Sequence, residues 1–213
     1  MATILRDLSY RYQWLYDGIS RVATLAVGGE SRFRQLAMVN VPETPGLRVL
    51  DLCCGSGQTT AVWVARGAAV TGLDASPRSL ARARVNVPEA EYVEGFAEKM
   101  PLPDNCFQVV HTSAALHEMT PAQLRQILQE SLRVLEPGGM LAVVDFRRPD
   151  PSWLGRLMWP GLAIFMALFE TETAWEFIDQ DLVVLCKSVG FQAVEQRCYA
   201  GGSVQVIQAI ASA

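Results

Sequence analysis

The run Val49-Leu-Asp-Leu-Cys-Cys-Gly-Ser-Gly-Gln-Thr-Thr60 limits what this chain can fold into more than any other stretch. Branched and apolar residues ending at Asp51 and Leu52 read as a short parallel strand buried on both faces. Gly55 and Gly57 break it, and Gln58 to Ala65 reads as a helix with an apolar side. Strand, glycine turn and helix start open a βαβ unit. Glycine lets the backbone turn sharply and approach a ligand. The helix start presents unpaired N–H groups that favour an anion.

A second acid completes the unit. Ala69 to Leu73 reads as the next strand, with Asp74 at its end, near where a ribose-binding acid belongs in a dinucleotide fold. Its two oxygens can accept from both ribose hydroxyls. The third glycine of the dinucleotide fingerprint is replaced by Thr60, which weakens a pyrophosphate reading. The pattern Asp51-x-x-x-Gly55-x-Gly57 with Asp74 instead resembles class I S-adenosylmethionine (SAM) methyltransferases. In that family the first acid faces the ligand's ammonium group, the turn passes the methionine part, and the second acid holds the ribose.

The rest of the chain alternates in the same way. Residues 9–27 carry aromatic and aliphatic side chains at helical spacing, and Gly28-Gly29 stops them. Ser31 is the expected cap of a helix to about Val39, and Pro42, Pro45 and Gly46 link to the core strand. A helix follows from Pro77 with Ser76 as its cap, then strands at Glu91–Glu94 and Phe107–Thr112. Thr120 caps a helix to Val134, and Met140 to Asp145 is the fifth strand. Strict alternation predicts a doubly wound parallel sheet. Beyond Pro149, Trp153 to Phe169 is strongly apolar and Trp175 to Val189 reads as one helix. Phe191–Arg197 and Ser203–Ile210 are strands joined by a glycine-containing turn, an antiparallel hairpin. The expected fold is α/β: seven strands, mostly parallel, in one domain over 1–213. A helical preface (1–45) and an apolar helical insertion (150–175) flank its core.

With 213 residues and a net charge of −4, the chain suits one globular domain and offers no basic surface for nucleic acid. The five cysteines form no CxxC pair and only two histidines exist, so no metal site is expected. Scattered cysteines point to reduced, buried thiols in a cytoplasmic protein. Charged residues interrupt every early apolar run, so no signal peptide is read.

From about residue 10 to 210 the chain resembles the ubiquinone/menaquinone-biosynthesis C-methyltransferases. The resemblance rests on Tyr16-Asp17, the run Arg48–Gly57, the loop Gly95–Pro103, Leu132-Arg-Val-Leu-Glu-Pro-Gly-Gly139, Gly190-Phe191 and Ala200-Gly-Gly202. It implies SAM as cofactor and a small hydrophobic acceptor, with a prenylated quinone precursor first. Cofactor contacts would come from Tyr16, Asp51, Cys53, Gly55, Ser56 and Gly57, and from Thr60, Asp74, Ala75, Phe96, Ala97 and Ser113. Cys53 and Cys54 read as small packing residues beside the ligand. The family's acid or amide before Ala97-Glu98 is Phe96 here, which could pack on the adenine. Its polar segment after the fourth strand, typically with an Arg-Asn pair, is Ser113-Ala-Ala-Leu-His-Glu118.

Carbon methylation of a phenol is helped by a base. His117, just past the fourth strand on the edge where ligands bind in open α/β sheets, is the candidate. Glu118 either orients it or faces solvent, and the second reading is preferred. His111, inside the strand, reads as a core residue. The charge-free stretch 157–169 is too short to span a bilayer, which takes about 20 residues. A lid over an apolar pocket is the first reading, and a peripheral membrane contact the second. An O- or N-methyltransferase of another small metabolite, and a SAM-binding module without catalysis, remain alternatives. The sequence leaves the oligomeric state unknown.

Overall fold

The computed structural model describes residues 24–169 and 171–212. Seven strands form one sheet: β1 (Arg48–Leu52), β2 (Ala69–Asp74), β3 (Glu91–Glu94), β4 (Phe107–Ser113), β5 (Leu135–Phe146), β6 (Gln192–Tyr199) and β7 (Val204–Ile210). Their order is β3-β2-β1-β4-β5-β7-β6. The first five pair in parallel, while β7 runs antiparallel to both β5 and β6. Among the described residues the helices are α1 (Glu30–Gln35), α2 (Gln58–Ala65), α3 (Pro77–Asn86), α4 (Pro121–Val134), α5 (Trp153–Phe169), α6 (Glu172–Phe177) and α7 (Leu182–Val189).

The expected seven-stranded sheet with its antiparallel hairpin is present, and its physical basis is visible in β1; the helix expected over residues 9–27 lies largely outside the described residues. Val49 and Leu50 point to opposite faces, and both are fully buried. Leu50 joins one apolar layer with Val110, Leu128, Leu141 and Ile207. Val49 joins the other with Trp63, Val109, Val144 and Val206. A strand buried on both sides has to be apolar throughout, which is why the run is so legible. The strand order reverses between β1 and β4, and such a switch point opens a crevice at the carboxyl ends of the strands.

The caps follow local chemistry. Ser76 accepts from Ser79 N–H at the start of α3. Thr120 and Gln123 form a reciprocal capping box at the start of α4.

Three local expectations are corrected. Ser31 does not cap α1: Gly29 is the cap, without a side-chain bond, and α1 gives way to a tight 3₁₀ turn over Leu36–Met38. Trp175 to Val189 is not one helix. α6 ends at Phe177, and Asp181 starts α7 by accepting from Val184 N–H, so a capping acid divides the apolar run. The five thiols are free but not uniformly buried: Cys54 and Cys186 are, whereas Cys198 is exposed. Among the described residues, no helix is long and apolar enough to cross a membrane.

Candidate cofactor cleft and catalytic edge

β1, β2, β4 and β5 deliver their last residues to one edge. Asp74 ends β2, and its carboxylate takes an N–H bond on each oxygen: Gly55 N–H to Oδ2 at 2.9 Å and Ser76 N–H to Oδ1 at 2.8 Å. Each oxygen keeps a further lone pair for a hydroxyl. Burial pushes the Asp74 carboxyl above its ordinary range, and the two N–H donors oppose that shift. Gly55 has φ 55°, and a Cβ built there would meet nothing within 4 Å. The turn thus bounds open space. Gly57, at φ 90°, leads into α2 from the left-handed region that favours glycine.

Asp51 lies deeper, near the end of β1. It is buried, accepts from the Thr60 hydroxyl at 2.6 Å, and lies 3.9 Å from His111 Nδ1. Thr60 is itself fully buried and serves as a strut between α2 and β1. His111 lies fully inside the sheet against Trp63, as a core histidine should.

Two non-glycine residues with positive φ stand just beyond strand ends at this edge: Cys53 (58°) after β1 and Ala114 (50°) after β4. Such a conformation costs on the order of 1–3 kcal/mol and is kept where a site over-determines it. Burial, with the Asp74 charge next, pushes the Cys53 thiol far above its ordinary range, so it stays protonated and packs. Ser56 is buried and Ala75 exposed beside the turn. Ala97 is buried, and the Phe96 ring is 65% exposed at the rim. Tyr16 lies outside the described residues. A cavity of about 860 Å³ sits behind the turn, between α1, α2 and α3, and Ser56 contributes to it.

After Ala114 the chain folds back as a short turn, Leu116–Glu118, which carries His117 onto the end of β5. Asp145 is fully buried there and accepts at both oxygens. Oδ2 takes the backbone N–H groups of Leu116 (2.9 Å) and His117 (3.3 Å). Oδ1 takes Phe146 N–H (2.7 Å) and faces His117 Nδ1 at 2.6 Å. Asp145 faces the imidazole and orients it, and Glu118 is half-buried. The sequence reading passed over Asp145, although an acid ending a Val-Val run at a strand terminus is the same signal as Asp74. The His117 ring lies 5.1 Å from Phe146 and 6.3 Å from Phe177. Phe165 of α5 adds to the cluster at 5.6 Å from Phe146.

Residues 49–139 match the family described as a methyltransferase domain. Over its whole length the chain is 57% identical to an uncharacterized methyltransferase of Synechocystis sp., covering 98% of that protein. The chain belongs to the SAM-dependent methyltransferases. It is also 30% identical to a demethylmenaquinone methyltransferase of Listeria welshimeri, over 88% of this chain and 87% of that one. A protein of the same name from Renibacterium salmoninarum is 29% identical, over 98% of this chain and 91% of that one.

Two solved structures share the fold. Phosphoethanolamine N-methyltransferase 2 of Haemonchus contortus, in complex with SAM, aligns with a TM-score of 0.69 at 15% identity. The match covers 98% of this chain and 60% of that one. A SAM-dependent methyltransferase of Thermotoga maritima aligns at 0.65 and 21%, covering 98% and 100%.

The cleft fits this methyltransferase's cofactor. Asp74 is pre-aimed with acceptor capacity on both oxygens, suited to a ribose, and the side of the turn left open by Gly55 can take the methionine part.

Proposed function

We propose that this methyltransferase acts on a small hydrophobic aromatic acceptor. A ring carbon of a prenylated quinone precursor is the first candidate. The observation that carries the proposal is the His117–Asp145 pair, set among Phe146, Phe177 and Phe165 at the carboxyl edge of the sheet. Bound SAM supplies a methyl group already activated on a sulfonium. What remains for the protein is alignment, exclusion of water, and an electron-rich acceptor.

An imidazole whose Nδ1 faces a carboxylate is fixed as the tautomer with hydrogen on Nδ1, leaving Nε2 as the basic nitrogen. His117 Nε2 would take the proton of a phenolic hydroxyl, and the Asp145 carboxylate would stabilise the resulting imidazolium. The aromatic side chains around it supply a dry, flat environment for a ring. The names of the Listeria and Renibacterium relatives support a quinone-type acceptor.

In this reading α5 is the lid. Its inner side brings Phe165 onto Phe146, next to the histidine. Asp51, Gly55, Gly57, Asp74, Ala97 and Ser113 border the cofactor, with Thr60 acting through Asp51.

The test is methyl transfer from labelled SAM to a panel of reduced demethylated quinones with and without prenyl tails, with the product analysed by mass and fragmentation. Label on a ring carbon of a tailed quinol is the expected result. Label on oxygen would turn the assignment to a phenol O-methyltransferase. No transfer to any aromatic acceptor would overturn it.

A further inference from the structure

We propose that Arg34 is the anchor for the carboxylate of the bound cofactor. The proposal rests on the chain being a SAM-dependent methyltransferase and on the turn at Gly55 bordering the methionine part. It adds a residue from outside the glycine motif altogether.

Arg34 lies on α1 yet is 8% exposed, and it reaches the crevice at the strand switch point. Its Nη1 is 3.2 Å from Thr59 Oγ1, in the first turn of α2, and 3.2 Å from Ser113 Oγ, at the end of β4. Its Nη2 meets Glu30 at 2.6 Å. Its Nε–H is buried with no acceptor. A guanidinium keeps its charge at any working pH, so burial must be compensated by acceptors.

Glu30 is one counter-charge, in the same helix. A pair serving α1 alone would not need to be buried between α2 and β4. The two hydroxyls beneath Arg34 are 2.9 Å apart. Only one of their two hydrogens can lie in that shared bond, so the other is left to donate. A buried N–H without an acceptor and a spare O–H therefore lie beside the first turn of α2, whose leading N–H groups have no intrahelical acceptor. Together they call for an anion with more than one acceptor atom, and the amino-acid end of SAM is one.

The placement is rigid. Next to Arg34, Phe33 packs against Phe146 at 6.1 Å. The Gln208 side chain donates to the carbonyls of Ala37 (3.0 Å) and Val39 (2.5 Å), which ties the turn after α1 to β7. A ligand held by Arg34, Thr59 and Ser113 would therefore link α1, α2 and β4 across the open side of the cleft.

The experiment compares two ligands by calorimetry on wild type, Arg34→Met and Arg34→Lys. One is S-adenosylhomocysteine. The other is 5′-methylthioadenosine, which keeps the adenosine and thioether but lacks the amino-acid part. Arg34→Met should weaken S-adenosylhomocysteine about 10- to 100-fold, as loss of a charge-assisted contact does. It should leave 5′-methylthioadenosine within about twofold, and Arg34→Lys should recover part of the loss. Equal weakening of both ligands would make Arg34 a structural strut, and no weakening of either would remove it from the cleft. Each outcome overturns the assignment. If Arg34→Met does not fold, Arg34→Lys carries the same comparison: selective loss of S-adenosylhomocysteine supports the anchor and an unselective loss refutes it. Wild-type binding of 5′-methylthioadenosine reports separately on the adenosine side of the cleft. Its absence would count against the cofactor site as a whole rather than against Arg34.

Discussion

Asp145 Oδ1 stands 2.6 Å from Nδ1 of His117, and both side chains are nearly sealed from solvent. The two residues come from different strand ends and meet because Ala114 turns the chain back after β4. Three backbone N–H groups hold the carboxylate in place, so it cannot swing away from the ring.

His117→Asn should lower kcat by about 10²- to 10⁴-fold while leaving SAM affinity unchanged. Asp145→Asn should lower it through the same group, so the double variant should be little worse than the poorer single one. The wild-type acid limb of the pH–rate profile should flatten in His117→Asn. Wild-type kcat across about pH 6–9 in that variant would make the histidine structural and leave ionisation to the acceptor itself.

Asp74→Ala should lose two hydrogen bonds to the ribose, each worth roughly 1.5–3 kcal/mol, and weaken SAM binding at least about tenfold with circular dichroism unchanged. Burial raises the Asp74 carboxyl above its ordinary value. Since the ionised form accepts from the hydroxyls, wild-type affinity should fall on acidification, through a window lying above that value. Binding in that window should release protons. The raised group also sets a stability trend: the folded state holds this proton more tightly, so this contribution declines as pH rises through the same window and is constant above it. Calorimetry in buffers of different ionisation enthalpy reads the proton release. Affinity that ignores pH in wild type and Asp74→Ala alike would count against a ribose contact.

Gly55→Val should still fold, because its side chain would enter open space, at a backbone cost on the order of 1–3 kcal/mol for a β-branched residue at positive φ. It should abolish SAM binding, since the same space is the one proposed for the ligand. A folded variant with wild-type affinity, measured by equilibrium dialysis, would move the cofactor off the turn.

The two faces of α5 separate a lid from a membrane contact. Phe165 is half-buried on the inner side, so Phe165→Asp should raise the acceptor KM or stop turnover with SAM binding intact. Leu157 and Ile164 are 62% and 61% exposed on the outer side. Leu157→Asp with Ile164→Asp should leave turnover of a water-soluble acceptor analogue unchanged. Flotation with vesicles then reports on the second face: release of the protein by the outer pair alone would add a lipid contact to the lid. An inert Phe165→Asp would reduce the inner side to core packing.

The sequence determined the frame. A strand buried on both faces must be written in apolar residues, a sharp turn against a ligand in glycine, and helix starts in Ser, Thr or Pro. β1, the turn at Gly55, α2, the end of β2 and the caps of α3 and α4 were therefore legible one segment at a time. These are local constraints, each imposed by the backbone of a few consecutive residues. The hairpin at β6–β7 was legible for the same reason.

The pairings across the chain were decided only by the fold. Asp145 reads as a strand residue until the parallel register of β4 and β5 brings it against His117. Arg34 carries no signal in its neighbouring residues, and only the laying of α1 over the switch point brings it to Thr59 and Ser113. Asp51 reads as an acid beside the ligand, and only the fold shows the Thr60 hydroxyl as its partner. In each case the side chain's role depends on which distant donor or acceptor remains once water is gone. Burial and register set that partner, and neither is written in neighbouring residues.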